Sequence, residues 1–173
     1  MKSIRMRGVA GATLPIVVTF VLAVFAGGCR SEAAGPAATA SAAAAEPQAG
    51  GPVLIQPAEL VNILKSPKAQ KPLVIQVGFY VLYVQAHIPG SEYVGPASSP
   101  EGLQMLRQRV ASLPRTQPIV VYCGCCPWSQ CPTVGPAYQM LRGMSFTNVK
   151  ALYIARNFGV DWVQLGYPVA RGR

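Results

Sequence analysis

Four of the five cysteines in this 173-residue chain lie within nine consecutive positions. They are Cys123, Cys125, Cys126 and Cys131. A cysteine reacts as its thiolate, which attacks electrophiles and binds soft metal ions. This density of thiols makes the segment 123–132, called the cysteine loop below, the first candidate for chemistry.

Cys123 has the placement of a nucleophile. It directly follows the apolar run 119–122, which predicts a buried strand, and a helix is predicted soon after the loop. A thiol that faces the free N–H groups at a helix N-terminus has a lowered pKa, and successive N–H groups in a loop bind anions. Residues 116–141 carry no charged side chain. A thiolate or anion there depends on backbone N–H groups, or on an arginine from elsewhere such as Arg142 or Arg156.

The loop thiols also suit a soft metal ion. Thiolates favour copper(I) or zinc, and the candidate ligands are Cys123, Cys125, Cys126 and Cys131. Their Cys-x-Cys-Cys-x4-Cys spacing is not typical of zinc sites, and the one histidine, His87, is far away in sequence. His87 precedes Ile-Pro-Gly, where we expect it to stabilise a turn. The sequence predicts no bound cofactor, with a soft metal ion as the alternative.

Short apolar runs alternate with helical patterns through the rest of the domain. The predicted strands lie at residues 73–77, 119–122 and 148–153, and the predicted helices at 57–64, 100–113, 137–142 and 161–165. Residues 80–85 fit either a helical turn or a short strand. Buried strands that alternate with helices predict an α/β domain with a central parallel sheet flanked by helices on both faces. Such folds bind ligands at the carboxyl ends of their strands, where Cys123 is expected.

The N-terminal residues predict export. Lys2, Arg5 and Arg7 precede the uncharged apolar stretch 9–25, and small residues then lead to Cys29. This order is typical of an export signal. It also resembles the lipobox of bacterial lipoproteins, in which cleavage falls before the cysteine and the cysteine then carries the lipid.

We therefore predict three segments along the chain. Residues 1–28 form a lipoprotein-type signal peptide, 29–52 a disordered tether rich in Ala, Gly and Pro, and 53–173 the folded domain. The domain is expected in the cell envelope, anchored to a membrane through Cys29 and facing the periplasm or the cell exterior. A plain secretory signal and an uncleaved N-terminal anchor are the alternatives.

Export changes what is expected of the loop thiols. Disulfides persist in oxidising compartments, so cysteine pairs of exported domains are commonly bridged. Cys126 with Cys131, or Cys125 with Cys131, is close enough in sequence to close a small loop. A structural or redox-active bridge is therefore a third possible use of these thiols, beside the nucleophile and the metal site.

The chain carries a net charge of +9. A basic balance favours anionic partners and acidic surfaces. The charges are scattered, with no basic run and no interleaved aromatic pattern, so the sequence argues against nucleic-acid binding. We expect a small anion and a membrane as partners, and the sequence carries no signal for an oligomeric state.

Several segments resemble the rhodanese-like family of sulfurtransferases, in the family's order. They are the first strand at 73–77, the His-Ile-Pro-Gly turn within 86–90, the strand leading to the catalytic cysteine at 118–123, and the closing segments at 146–149 and 162–169. The resemblance implies that Cys123 takes a sulfane sulfur from a donor, holds it as a persulfide and passes it to a thiophilic acceptor. The partners it implies are a small sulfur-containing anion or thiol.

The resemblance also assigns the positions around the persulfide. The anion cradle is assigned to Gly124, Cys125, Cys126, Pro127 and Trp128. Trp128 is expected to cover the loop. One of the thiols of Cys125, Cys126 and Cys131 is expected to resolve the persulfide or to form a disulfide.

The chain departs from the family pattern at two places. Gln76-Val77-Gly78 stands where the family usually carries Asp-x-Arg. The loop lacks the usual basic residue and contains three additional cysteines. A thiol-redox module or a soft-metal (copper) module on a rhodanese scaffold is therefore the alternative to a periplasmic sulfurtransferase.

Overall fold

The computed structural model describes residues 51–172. The predicted signal peptide, the lipidation of Cys29 and nearly all of the predicted tether lie outside this range. Within residues 51–172, no helix is both long enough and apolar enough to cross a membrane.

A central sheet of five parallel strands organises the domain. The strands are β1 (Leu54–Ile55), β2 (Leu73–Gln76), β3 (Glu92–Tyr93), β4 (Ile119–Tyr122) and β5 (Val149–Leu152). Their order is β1-β5-β4-β2-β3, so β4 is the middle strand and pairs with β2 and β5. All of its residues are buried, as expected of a parallel strand covered on both faces. The predicted α/β architecture is confirmed.

Helices connect the strands. In the described range they are α1 (Pro57–Lys65), α2 (Tyr80–Gln85), α3 (Pro100–Val110) and α4 (Val134–Gly143), with a 3-10 helix at Trp128–Gln130 and a π-helix at Gly159–Val163. Helix α3 begins as its sequence predicts. The Ser99 side chain accepts a hydrogen bond from the Gly102 N–H, and Pro100 occupies the first turn, where proline is tolerated.

Alternate side chains of β4 point to opposite faces of the sheet. Ile119 and Val121 lie in the core cluster that includes residues of α3 and α4, and Cys123 belongs to the same cluster. Val120 and Tyr122 lie in the other cluster, which includes residues of α1 and of the π-helix. Cys123 therefore faces the layer that contains α3 and α4.

The Tyr122 hydroxyl joins the end of β4 to the turn after α2. It accepts a hydrogen bond from the Ile88 N–H at 3.2 Å and lies 3.1 Å from Ser91 Oγ. Burial raises the pKa of Tyr122 to about 12. The His87 ring stacks on Tyr83, and its Nδ1 lies 2.7 Å from the Tyr83 carbonyl oxygen. His87 stabilises this turn, as the sequence predicts.

The structure differs locally from the predicted elements. The sequence shows no sign of β1 or β3, because strands of two residues are too short to have a period. Residues 80–85 form helix α2. The last helix lies at Gly159–Val163 rather than at 161–165, and the Gln164 N–H bonds to the Gly159 carbonyl five residues back. A hydrogen bond between residues five apart cannot be predicted from apolar residues spaced at the α-helical period of 3.6 residues.

Helix α3 packs too closely at Gly102 for a larger residue. A Cβ at this position would lie 2.1 Å from the Pro96 carbonyl oxygen. We expect Gly102→Ala to lower the free energy of unfolding by about 2 kcal/mol or more, because backbone atoms must move apart. Urea unfolding followed by circular dichroism measures this difference.

Gly143→Ala is the matched control, because the Cβ position of this helical glycine has open space around it. It should leave the free energy of unfolding unchanged or raise it by up to about 1 kcal/mol. Equal unfolding midpoints for the two variants would contradict the packing argument.

Candidate functional site

The cysteine loop begins where β4 ends. Cys123 is the first residue after the strand and is only 3% exposed. Strand β2 ends beside it, and the Val77 N–H donates to the Tyr122 carbonyl at 2.9 Å. A Cβ at Gly78 would lie 2.7 Å from Cys123 Sγ. The sulfur can therefore occupy its position only because residue 78 has no side chain.

The loop brings its sulfur atoms into one cluster. Cys123 Sγ lies 3.2 Å from Cys125 Sγ, which lies 3.1 Å from Cys126 Sγ. The four Sγ atoms, including that of Cys131, all lie within 4.8 Å of one another. Each is a free thiol; Cys123 and Cys131 are buried, Cys126 is half-buried and Cys125 is exposed. Cys131 is close enough to both Cys125 and Cys126 for either disulfide considered above, and those pairings stay predictions.

Cys131, rather than Cys123, lies at the N-terminus of α4. Its Sγ is 3.2 Å from Thr133 Oγ1, and the backbone N–H groups of Thr133 and Val134 contribute to lowering its pKa. A hydrogen bond from the Cys123 thiol, together with these donors, lowers the pKa of Cys131 to about 5. The same interaction, with burial, raises the pKa of Cys123. In the structure Cys131, and not Cys123, lies next to the start of α4, while Cys123 lies at the end of β4.

The outer part of the loop, residues 124–128, is tied to the chain after β5. The Trp128 N–H donates to the Ile154 carbonyl at 2.8 Å, and the Phe158 N–H donates to the Gly124 carbonyl at 3.2 Å. Trp128 is half-buried and begins the 3-10 helix. Inside this segment, Cys125 Sγ lies 3.2 Å from Cys123 Sγ. The backbone N–H of Cys125 favours the ionised form of the Cys123 thiol, although Cys131 and burial raise its pKa overall.

Both candidate arginines are engaged away from the thiols. Arg142 donates to the carbonyls of Phe146 and Thr147 at 2.8 and 3.0 Å, beyond the C-terminal end of α4. Arg156 bonds to the Asp161 carboxylate at 3.3 Å. Within residues 51–172, the hydrogen bonds to the loop sulfurs come from a hydroxyl and from other thiols. The sulfur cluster is thus held by dipoles.

Two residues at the end of β2 were not singled out as functional from the sequence. Gly78 is one, because its missing side chain makes room for Cys123 Sγ. Gln76 is the other; it is 1% exposed, and within residues 51–172 its Oε1 is the buried side-chain acceptor without a hydrogen-bond partner. A glycine directly after a buried strand often marks close backbone approach, and this signal could have identified Gly78.

The contact between a buried thiol and an exposed one has a chemical consequence. Cys123 Sγ and Cys125 Sγ, 3.2 Å apart, can exchange a sulfur atom or form a bond without a large movement of the loop. The same cluster of thiols has the soft ligands that a thiophilic metal ion requires.

Comparison with known proteins agrees with this architecture. The chain matches the rhodanese-like domain over residues 56–153. Among solved structures, a protein from Bacillus halodurans is similar at a TM-score of 0.53 and 18% identity, covering 69% of this chain and 77% of that one. Among curated proteins, none matches this chain significantly.

Two similar structures are sulfurtransferases. Thiosulfate sulfurtransferase from Pseudomonas aeruginosa is 19% identical with a TM-score of 0.53, covering 70% of this chain and 21% of that one. The single-domain sulfurtransferase from Saccharomyces cerevisiae is 14% identical with a TM-score of 0.50, covering 70% of this chain and 99% of that one. At these identities the matches show the fold.

The family match and the geometry of the site coincide. The matched residues 56–153 extend from the start of α1 past the end of β5, and they contain the whole sheet except β1. They also contain the complete cysteine loop, with Cys123 at the carboxyl end of the middle strand. This chain therefore belongs to the rhodanese-like domain family, and its fold is that of the sulfurtransferases.

Proposed function

We propose that this protein is a sulfurtransferase of the cell envelope that carries sulfane sulfur as a persulfide on Cys123. The main support is the position of Cys123 at the carboxyl end of the middle strand, where the Cys125 thiol lies 3.2 Å from its sulfur. Location in the envelope, on a lipid-anchored chain, rests on the charged, apolar and small residues that precede Cys29.

The donor we propose is an organic polysulfide, R–S–S–S–R, or a hydropersulfide, R–S–SH. Residues 116–141 carry no charged side chain, and Arg142 and Arg156 bond elsewhere. A dianion such as thiosulfate would have two negative charges in a loop that offers only dipoles to balance them. Because a buried charge without a partner is costly, a neutral or singly charged donor fits this loop better.

Sulfur loading starts from the hydrogen-bonded pair Cys123 and Cys131. The Cys131 thiolate takes the proton of Cys123, and the Cys123 sulfur attacks the sulfane sulfur of a donor R–S–SH. A new S–S bond forms at Cys123, the donor's S–S bond breaks, and its electron pair leaves on R–S⁻, which takes up the proton. The products are Cys123–S–SH and R–SH, with no net oxidation of the protein.

Cys125 is the proposed resolving thiol, because it is exposed and its sulfur contacts that of Cys123. Its thiolate attacks Cys123 Sγ, a Cys123–Cys125 disulfide forms, and the outer sulfur leaves as hydrosulfide. The sulfane sulfur gains the two electrons that the two thiols lose. A dithiol reductant of the compartment then returns both cysteines to the thiol form.

The first prediction concerns Cys123→Ser. We expect this variant to gain no cyanide-sensitive sulfur atom on exposure to polysulfide, because the attacking sulfur is gone. Intact-mass spectrometry of the reduced protein before and after exposure measures the adduct. Ser129→Ala, an exposed position in the same loop, is the control and should load like the wild type. A cyanide-sensitive adduct on Cys123→Ser at the wild-type level would refute the proposal.

The second prediction separates release from loading. Cys125→Ser should still form the persulfide, but its release of hydrosulfide should slow by about tenfold or more, because the resolving attack is lost. The same mass assay followed over time, with sulfide measured in parallel, gives both rates. Wild-type release by Cys125→Ser would show that another thiol resolves the persulfide.

The third prediction tests the close approach of residue 78. In Gly78→Ala the new Cβ must displace Cys123 Sγ, so sulfur loading should slow by about tenfold or more while the domain stays folded. Gly135→Ala is the matched control, because its Cβ position is open, and it should load normally. Equal loading rates in the two variants would mean that the position of Cys123 Sγ does not limit the reaction.

A further inference from the structure

The cysteine loop folds back so that thiols from both of its ends meet. Cys123 comes from the end of β4, Cys131 from just before α4, and Cys125 and Cys126 from the segment between them. Their Sγ atoms all lie within 4.8 Å of one another, and no carboxylate or imidazole belongs to this group. We propose that these thiols form a binding site for copper(I), an activity distinct from the carriage of sulfur.

The spacing of the sulfurs fits a shared metal ion. A metal bound at about 2.3 Å from each thiolate has ligand sulfurs about 3.8 Å apart. The separations of 3.1 and 3.2 Å along the chain Cys123–Cys125–Cys126 are somewhat shorter than this, and the upper limit of 4.8 Å is longer. Small rotations of the side chains would therefore place several sulfurs at bonding distance from one central ion.

The type of donor restricts the ion. A site composed of sulfur alone favours copper(I), zinc or iron–sulfur clusters, and disfavours magnesium and calcium, which prefer oxygen. The loop also holds its thiols beside the buried residues of the core rather than in open water, with Cys123 and Cys131 buried. Such surroundings favour a soft ion that loses its water readily.

The charge of the loop distinguishes copper(I) from zinc. Zinc bound by four thiolates leaves a net charge of −2. Copper(I) bound by the same four sulfurs, two of them as thiolates and two as neutral thiols, leaves −1. No charged side chain occurs in residues 116–141, and Arg142 and Arg156 bond elsewhere. The cost of burying an ion rises with the square of its charge, so the singly charged copper complex suits this loop.

The loop also provides a path by which an ion could enter, and a hydroxyl group beside one of the buried sulfurs. Cys125 is exposed and Cys126 half-buried, so an incoming ion can meet these thiols before it reaches Cys123 and Cys131. The Thr133 hydroxyl lies 3.2 Å from Cys131 Sγ. Hydrogen bonds of this kind orient a metal-bound thiolate.

The test uses the purified full-length chain in detergent, with Cys29→Ser as the common background so that the loop thiols are the only ones present. The reduced protein is titrated anaerobically with copper(I) in the presence of the chelator bicinchoninate. We expect the protein to withhold about one copper(I) per chain, and X-ray absorption of the complex to show sulfur as the sole ligand type.

Cys126→Ser is the informative variant, because the Cys126 sulfur belongs to the cluster and contacts the sulfur of Cys125. Its affinity for copper(I) should fall by about tenfold or more, because one sulfur ligand is removed. Ser129→Ala is the control and should bind copper(I) like the wild type. Circular dichroism and urea unfolding check that Cys126→Ser is folded; if it is not, the exposed Cys125→Ser replaces it in the copper titration.

Three results would overturn the proposal. The wild type could withhold no copper(I) from bicinchoninate, or a folded Cys126→Ser or Cys125→Ser could hold copper(I) as tightly as the wild type. Retention of zinc in preference to copper(I) would refute the choice of ion. None of these results bears on sulfur loading at Cys123, which the polysulfide assay measures separately.

Discussion

Strand β4 pairs with β2 on one side and with β5 on the other, and all of its residues are buried. A shift of β4 by one residue would turn its apolar side chains to the wrong faces of the sheet in both pairs at once. The end of β4 therefore has a fixed depth and a fixed orientation, and Cys123 faces the layer of α3 and α4 for this reason. The Tyr122 hydroxyl adds a second attachment, because it bonds to the turn after α2. The cysteine loop and all of its possible chemistry start from this anchored point.

The second constraint is the absence of charged side chains from residues 116–141. A thiolate in such a segment is stabilised only by dipoles, and the structure concentrates these dipoles at Cys131 through Thr133 and the start of α4. Because a buried charge without a partner is costly, this arrangement is consistent with the proposals of a neutral or singly charged sulfur donor and of a copper(I) ion. The loop has no basic residue, and residue 78 is a glycine rather than an arginine, so two cations are missing near Cys123. Gly78 makes room for the Cys123 sulfur, but no cation remains nearby to bind a dianion.

Sulfur carriage and copper(I) binding would use the same cluster but not the same set of atoms. Both involve Cys123, so a bound copper ion and a persulfide would exclude each other there. The proposed sulfur transfer moves sulfur through Cys123 and Cys125, whereas copper(I) binding would also use the sulfur of Cys126, which contacts that of Cys125. Both activities depend on soft, polarisable sulfur, and both would be lost if the thiols were permanently bridged by disulfides. The redox state of the protein's surroundings would therefore act on the two activities together.

The sequence by itself determined the α/β class, the strands β2, β4 and β5, the start of α3 at Pro100 and the position of Cys123 at a strand end, because each depends on a local pattern of apolar and turn residues. It did not reveal β1 and β3, because a strand of two residues is recognised only by its hydrogen bonds to the neighbouring strand. Only the tertiary structure decided that Cys131 rather than Cys123 lies at the N-terminus of α4, and that Gly78 touches the Cys123 sulfur. The physical reason is that these contacts depend on how the loop folds back over the sheet, and spacing along the chain does not determine distances across a loop.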